Sequence, residues 1–163
     1  MPNRRFIPSL RRRRHDTGAS AVEFALVAPI FFLLLFSIAD FGMMMFANLT
    51  MQNAVREGAR FAVTGQTTLD PADTSSQRFQ AVQQKIHDSS LGIYDMSNAS
   101  ITTWVNGSTT PQSSGAGMYG NAGDLVVIEV DCSWPLLTPV VAAFFPSGKY
   151  TFKVAATMRN EAF

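Results

Sequence analysis

One apolar stretch organises this chain: GASAVEFALVAPIFFLLLF, which runs from Gly18 to Phe36. No residue from Phe24 to Ala39 carries a formal charge. As a helix these residues span about 24 Å, slightly less than the roughly 30 Å hydrocarbon core of a bilayer. Glu23 and Asp40 bound the run, so their carboxylates can reach opposite interfaces of a thinned or tilted span. The sequence therefore predicts a transmembrane helix here.

Charge is distributed unevenly around this predicted helix. Residues 1–18 contain six Arg and one Asp and carry +5, so a net charge of +1 for the whole chain leaves −4 for residues 19–163. The positive-inside rule then places the N-terminus in the cytoplasm and the residues after about 40 outside. A nucleic-acid surface is disfavoured, because the only basic cluster adjoins the apolar run.

Three interpretations compete for the N-terminal segment. A plain signal-anchor explains the arginines and the apolar run, but it does not explain Glu23. A cleaved secretory signal would use the small residues Ser37 and Ala39, and a cut before Asp40 would release a soluble protein. The third interpretation takes Gly18 and Glu23 as two parts of one motif.

The segment GASAVEF, residues 18–24, resembles the processing site of class IV prepilins, G-x-x-x-x-E-[YF]. More closely, GASAVEFALVAPIFFLLLFSIADFG followed by NAVREGARFAV is similar to the TadE-like minor pseudopilins of the tight-adherence (Tad) pilus, over about residues 11–65. The closing AATMRNEAF is also similar to the end of such proteins. A basic leader, Gly18, Glu23, Pro29 and VREGAR in that order are much more specific than the Gly and Glu alone.

This resemblance implies a structural pilus component rather than an enzyme, cut by a prepilin peptidase between Gly18 and Ala19. A glycine before the bond lets the backbone enter a narrow cleft in an extended form. The cut creates an ammonium group on Ala19, and in pilin-like assemblies the glutamate, here Glu23, is thought to meet that amine on a neighbouring subunit. The alternative is that Glu23 only reaches the membrane interface. Phe24 and Pro29 complete the assembly segment, and Pro29 should kink or loosen one helical turn.

The partners implied are the prepilin peptidase, other pilins and pseudopilins, Tad inner-membrane assembly proteins and membrane lipid, with no nucleic acid. The protein would be a single-pass inner-membrane protein with a cytoplasmic N-terminus and a periplasmic C-terminal domain, and it could enter the pilus. The expected organisation is a leader (1–18), a transmembrane segment (19–40), an amphipathic helix continuation (41–65) and a periplasmic α+β domain (66–163).

Residues 41–63 repeat apolar side chains at three- and four-residue steps, which predicts that the helix continues to about 63. The predicted face consists of Met44, Ala47, Met51, Ala54, Gly58 and Phe61. Gly58 lowers helix stability, so we expect it to allow close packing against another element. Farther along the chain, Ser75 or Ser76 could cap a short helix over about 77–89.

Strands are predicted at Ser100–Val105, Leu125–Trp134 and Tyr150–Arg159, the last two from apolar residues that recur at every second position. Between the first two strands, residues 106–123 are rich in Gly and Ser and predict a long exposed hairpin loop. Residues 136–146, LLTPVVAAFFP, fit a buried loop, a short helix or a partner-facing patch. The fold class expected is α+β, a long N-terminal transmembrane and amphipathic helix packed on a small antiparallel sheet, as in pseudopilins.

Chemistry-bearing residues are sparse in this sequence, so no cofactor, metal or catalytic site is expected. Cys132 lies on an apolar strand face and is interpreted as a core residue. Glu129 and Asp131 share a strand face, where solvated charge is a better interpretation than calcium, and Asp70 with Asp73 is similar. Two alternative functions stay open: a secreted or single-pass membrane-anchored binding domain with an ordinary signal sequence, and a periplasmic enzyme built around His87.

Overall fold

The computed structural model describes residues 17–69 and 78–162. The predicted leader up to residue 16, the turn at Asp70 and Asp73, and the cap at Ser75 or Ser76 lie outside these residues. The elements are α1 (Thr17–Val63), α2 (Arg78–Ser89), α3 (Ile93–Met96), β1 (Ser100–Val105), β2 (Leu125–Pro135), α4 (Pro139–Ala142) and β3 (Lys149–Arg159), with a 3-10 turn at Pro146–Gly148. The α+β class predicted from the sequence is confirmed.

The chain divides into two compact units, of which the first ends at Leu35 and the second is Phe36–Phe163. In the first unit the described residues are helical, and Pro29 lies inside the helix. Large apolar side chains are exposed along it, as Phe24 (70%) and Ile30 (71%) illustrate. An 18-residue window of α1 has a mean hydropathy of 2.4 and no buried residue. By length and composition this helix fits a single-pass membrane anchor.

The sheet of the second unit has the order β1-β2-β3 and is antiparallel throughout the described residues. Ser100 pairs with Asp131, and Pro135 pairs with Lys149 at the end where β2 leaves the sheet. Side chains of β2 alternate between buried and partly exposed positions, as their sequence predicts. The buried set comprises Val126, Ile128, Val130, Cys132 and Trp134.

The part of α1 that belongs to the second unit buries a stripe of small and medium side chains. Those with at most 7% exposure are Ala47, Met51, Ala54, Val55, Ala59 and Ala62. Of the predicted face, Ala47, Met51, Ala54 and Gly58 are buried. Met44 and Phe61 are only partly buried, at the edge of the core. Small side chains permit the close approach of helix and sheet that fills this core.

The predicted exposed loop between β1 and β2 is in fact anchored in the core. Met118 and Tyr119 are exposed by 0% and 1%. Thr103 of β1 exchanges two backbone hydrogen bonds with Gln112, at 2.8 and 2.9 Å, and its hydroxyl donates to the Met118 carbonyl. The prediction of an exposed loop rested on its Gly and Ser content, and it was wrong for Met118 and Tyr119, whose side chains lie in the core.

Arg78, the first residue of α2, joins three distant parts of the second unit. Its guanidinium donates to the carbonyl oxygen of Ala62 in the last turn of α1, which also accepts a hydrogen bond from the Gly65 N–H at 3.2 Å. It also donates to the Gly120 carbonyl at 2.8 Å and to the Asn160 side chain at 2.9 Å. This one side chain therefore holds the end of α1, the β1–β2 loop and the C-terminal segment together.

Gly58 allows α2 to pack directly on α1, as the sequence predicted. A methyl group at this position would overlap with the side chain of Ile86, which is fully buried. We therefore expect Gly58→Ala to lower the free energy of unfolding by about 1–3 kcal/mol, because overpacking outweighs the gain in helix propensity of about 1 kcal/mol. Denaturant unfolding of the detergent-solubilised chain, followed by circular dichroism, measures this change.

Gly42→Ala is the matched control for this substitution. A methyl group there would meet no atom within 4 Å, and Gly42 lies in the same helix. We expect it to leave stability unchanged or to raise it by up to about 1 kcal/mol. Equal effects of the two substitutions would contradict the close packing at Gly58.

Candidate functional site

Gly18 and Ala19 lie in the first turn of α1, and both are exposed. A side chain at Gly18 would meet no atom within 4 Å, so this position is open to a large partner. The backbone is helical there, and an extended path through a protease cleft requires this turn to unwind.

Glu23 follows Ala19 by four residues, so the two lie on the same face of α1, one turn apart. The Glu23 side chain is exposed, and so is Phe24, at 70%. The carboxylate is therefore displayed on an apolar helical surface, where a charge near the bilayer centre costs about 3 kcal/mol. A nearby positive charge would offset that cost.

Pro29 is also exposed and lies six residues beyond Glu23 on the same helix. Proline has no N–H group, so the Ala25 carbonyl receives no helical hydrogen bond from it. The helix continues on both sides of this position. The structure thus places Gly18, Ala19, Glu23, Phe24 and Pro29 along one exposed helical segment.

Asp40, which we expected to reach a membrane interface with an exposed carboxylate, has its carboxylate enclosed by protein. The residue is only 2% exposed. One carboxylate oxygen accepts a hydrogen bond from the Leu137 backbone N–H at 3.0 Å, and the other accepts one from Thr138 at 3.2 Å. Signal cleavage before Asp40 would place a new ammonium group on this buried residue. The burial of Asp40 is thus an argument against a secretory signal that ends at Ala39.

The segment 136–146, for which the sequence left three possibilities, contains the short helix α4. Its large apolar side chains are exposed, with Leu137 at 68%, Val140 at 50% and Phe144 at 81%. Leu137, Thr138 and Pro139 line an apolar groove of about 350 Å³ together with Phe36, Ala39 and Asp40. A short helix with an exposed apolar surface is therefore the form that this segment takes.

His87 does not have the surroundings of a catalytic base. Its Nε2 atom lies 3.0 Å from a carboxylate oxygen of Asp95, and its Nδ1 atom lies 3.5 Å from Asp88. The hydrogen bond to Asp95 is the main cause that raises the pKa of His87 above its ordinary value. Since both ring nitrogens face carboxylates, neither is directed at a hydroxyl group that it could activate.

The carboxylates considered for calcium are bridged by a lysine instead. The Lys153 ammonium lies 2.7 Å from Glu129 and 3.0 Å from Asp131, and these hydrogen bonds raise the pKa of Lys153. Among residues 17–69 and 78–162 no group of three or more His, Cys, Asp or Glu side chains could hold a metal ion. Cys132 is buried, and this burial raises the pKa of its thiol, as fits a core residue.

Comparison with known proteins identifies the N-terminal part of the chain. The family model described as TadE-like protein matches residues 18–60. This region contains the Gly18 and Glu23 motif, the apolar stretch and most of the core-facing stripe of α1. No match was found among curated proteins or among solved structures. The chain thus carries a TadE-like segment over residues 18–60, which confirms the resemblance for this part of the sequence.

Proposed function

We propose that this chain is a minor pseudopilin of the Tad pilus, cut after Gly18 by a prepilin peptidase. The observation that carries the proposal is the TadE-like match, which includes Gly18, Glu23 and Pro29 on one exposed apolar helix. The protein acts as a structural and assembly component and catalyses no reaction. Its partners are other pilins and pseudopilins and the inner-membrane assembly proteins of the Tad machine.

Processing depends on where the membrane holds the leader. The arginines of residues 1–18 would bind the anionic cytoplasmic surface, each with about 1 kcal/mol. The bond between Gly18 and Ala19, both of which are exposed, is then presented at that surface. Cutting there removes the basic leader and leaves the apolar part of α1 in the bilayer as an anchor. The domain over 66–163 lies in the periplasm in this orientation.

The cut also supplies a partner for Glu23. The new ammonium group on Ala19 of one subunit meets the exposed Glu23 carboxylate of its neighbour when the helices bundle. A paired charge among apolar helices costs much less than an unpaired one, and the pair forms in only one register. Glu23 therefore directs how subunits align, in addition to the apolar contacts made by residues such as Phe24.

Gly18→Ala should block or strongly slow leader removal, because the added methyl group hinders entry of the extended backbone into the peptidase cleft. The ratio of cut to uncut chain on immunoblots, in cells that contain the peptidase, measures this. Gly42→Ala is the matched control, since Gly42 also lies in α1 with open space around it. Leader removal from Gly18→Ala at the rate of the unaltered chain would argue against a prepilin peptidase.

Glu23→Ala should leave membrane insertion intact while pilus assembly falls, because the helix becomes more apolar but loses the charge that pairs with Ala19. Membrane fractionation and pilus counts by electron microscopy measure the two effects. Ser20→Ala, in the same exposed turn, removes a polar group without removing a charge and should assemble normally. Normal pilus numbers with Glu23→Ala would instead favour a carboxylate that only reaches the membrane interface.

A further inference from the structure

The connection between β2 and β3, residues 136–148, has an unusual surface. It contains no charged residue, and its side chains Leu137, Val140 and Phe144 are exposed by 68%, 50% and 81%. Single exposed apolar residues are ordinary on soluble proteins, but three within eight residues form a patch. We name residues 136–148 the β2–β3 loop.

Asp40 fixes the β2–β3 loop beside α1. Its two carboxylate oxygens accept hydrogen bonds from the backbone of Leu137 and Thr138, at 3.0 and 3.2 Å. Phe36 and Ala39, the last residues of the apolar stretch before Asp40, line the same groove as Pro139. The exposed patch therefore lies at the end of the second unit where the membrane-anchor sequence enters it.

Burial of Asp40 also changes where the apolar surface of α1 ends. In the sequence this residue is the only charge between Phe24 and Val55. Because its carboxylate is 2% exposed and bonded to the β2–β3 loop, the solvent-facing surface after it stays apolar. Phe41, Phe46 and Leu49 are exposed by 61%, 48% and 58%.

The rim of the β2–β3 loop carries residues that favour a membrane interface. Lys149 follows the loop directly and pairs with Pro135 at the end of the sheet. Next to it, the Tyr150 ring contacts Phe145 edge-on at 6.4 Å and stacks on Phe152 at 5.5 Å. Lysine and tyrosine are both typical of the boundary between lipid tails and headgroups.

We propose that the β2–β3 loop is a second membrane contact, in which Leu137, Val140 and Phe144 enter the headgroup and acyl-chain boundary of the leaflet nearest the domain. The lipid bilayer is the occupant because the patch is uncharged, continues the exposed apolar surface of α1 and ends in an interfacial lysine and tyrosine. This inference rests on the membrane anchorage contained in the proposed function. It does not depend on leader cleavage or on pilus assembly.

The test uses the full chain, reconstituted in vesicles of phosphatidylcholine and phosphatidylglycerol. In a Cys132→Ala background, one cysteine is introduced at Leu137 or Val140 and labelled with an environment-sensitive fluorophore. Quenching by iodide reports contact with water, and quenching by spin-labelled lipids reports contact with the bilayer. Leu125→Cys is the matched control, because Leu125 is 47% exposed and lies on β2, about 33 Å along the strand from Pro135.

We expect lipid spin labels to quench the loop positions and iodide to quench them several-fold less than position 125. Equal iodide quenching at all three positions would overturn the proposal. Protection of the loop that appears only at a high ratio of protein to lipid would overturn it too, since a second copy of the chain would then be the occupant. These readings do not require the peptidase, so they are independent of whether Gly18 is the cleavage site.

Asp40→Asn tests how the contact is held. The asparagine side chain has one oxygen that can accept a hydrogen bond, and an NH2 group in place of the second oxygen. Either the Leu137 N–H or the Thr138 N–H therefore loses its acceptor. We expect iodide quenching at Val140 to rise in this variant, while Asp131→Asn, an exposed carboxylate on β2, leaves it unchanged. Unchanged quenching in Asp40→Asn would overturn the role assigned to Asp40.

Discussion

The carboxylate of Asp40 accepts hydrogen bonds from the backbone N–H groups of Leu137 and Thr138, and this contact joins α1 to the β2–β3 loop. A buried carboxylate without such donors would cost several kcal/mol, so the β2–β3 loop and α1 require each other. In the sequence, Asp40 is the charged residue that ends the apolar run; in the structure, its carboxylate is buried and bonded to the β2–β3 loop. This burial also makes Asp40 a poor new N-terminus, because cleavage before this residue would place an ammonium group on a buried position.

Much of the fold could be predicted because its signals are local. Alternation along β2 and β3 identified their buried faces, and the three- and four-residue spacing along α1 identified most of its buried stripe. Gly58 was assigned to close packing from its helix cost alone, and Ile86 lies where that interpretation requires. These features depend on the period of the backbone, which a sequence displays directly.

Other features could not be predicted because they depend on residues far apart in the chain. Arg78 binds Ala62, Gly120 and Asn160, which are 16, 42 and 82 residues away. Asp40 binds backbone groups that no side-chain pattern reveals. Met118 and Tyr119 lie in a stretch rich in Gly and Ser, and no local pattern in that stretch predicts that they are buried in the core. The candidate site was predictable in sequence because its motif is contiguous, whereas the proposed partner of Glu23 belongs to another subunit.

The two acids that bound the apolar stretch have different surroundings. Glu23 stays exposed on the helix and is suited to a partner from outside the chain, whereas Asp40 already has its partners within the domain. A plain membrane anchor gives no reason for an acid at each end of the apolar stretch, whereas these two environments do. Both acids lie within residues 18–60, the part of the chain that the TadE-like family model matches.

Mass spectrometry of the protein purified from membranes determines the residue at which the mature chain begins. If the apolar helix is a retained pilin-like anchor, the mature chain begins at Ala19 and keeps Asp40 inside its helix. A chain that begins at Asp40 would contradict it, because the segment would then be an ordinary signal. An uncut chain in cells with an active prepilin peptidase would contradict it as well.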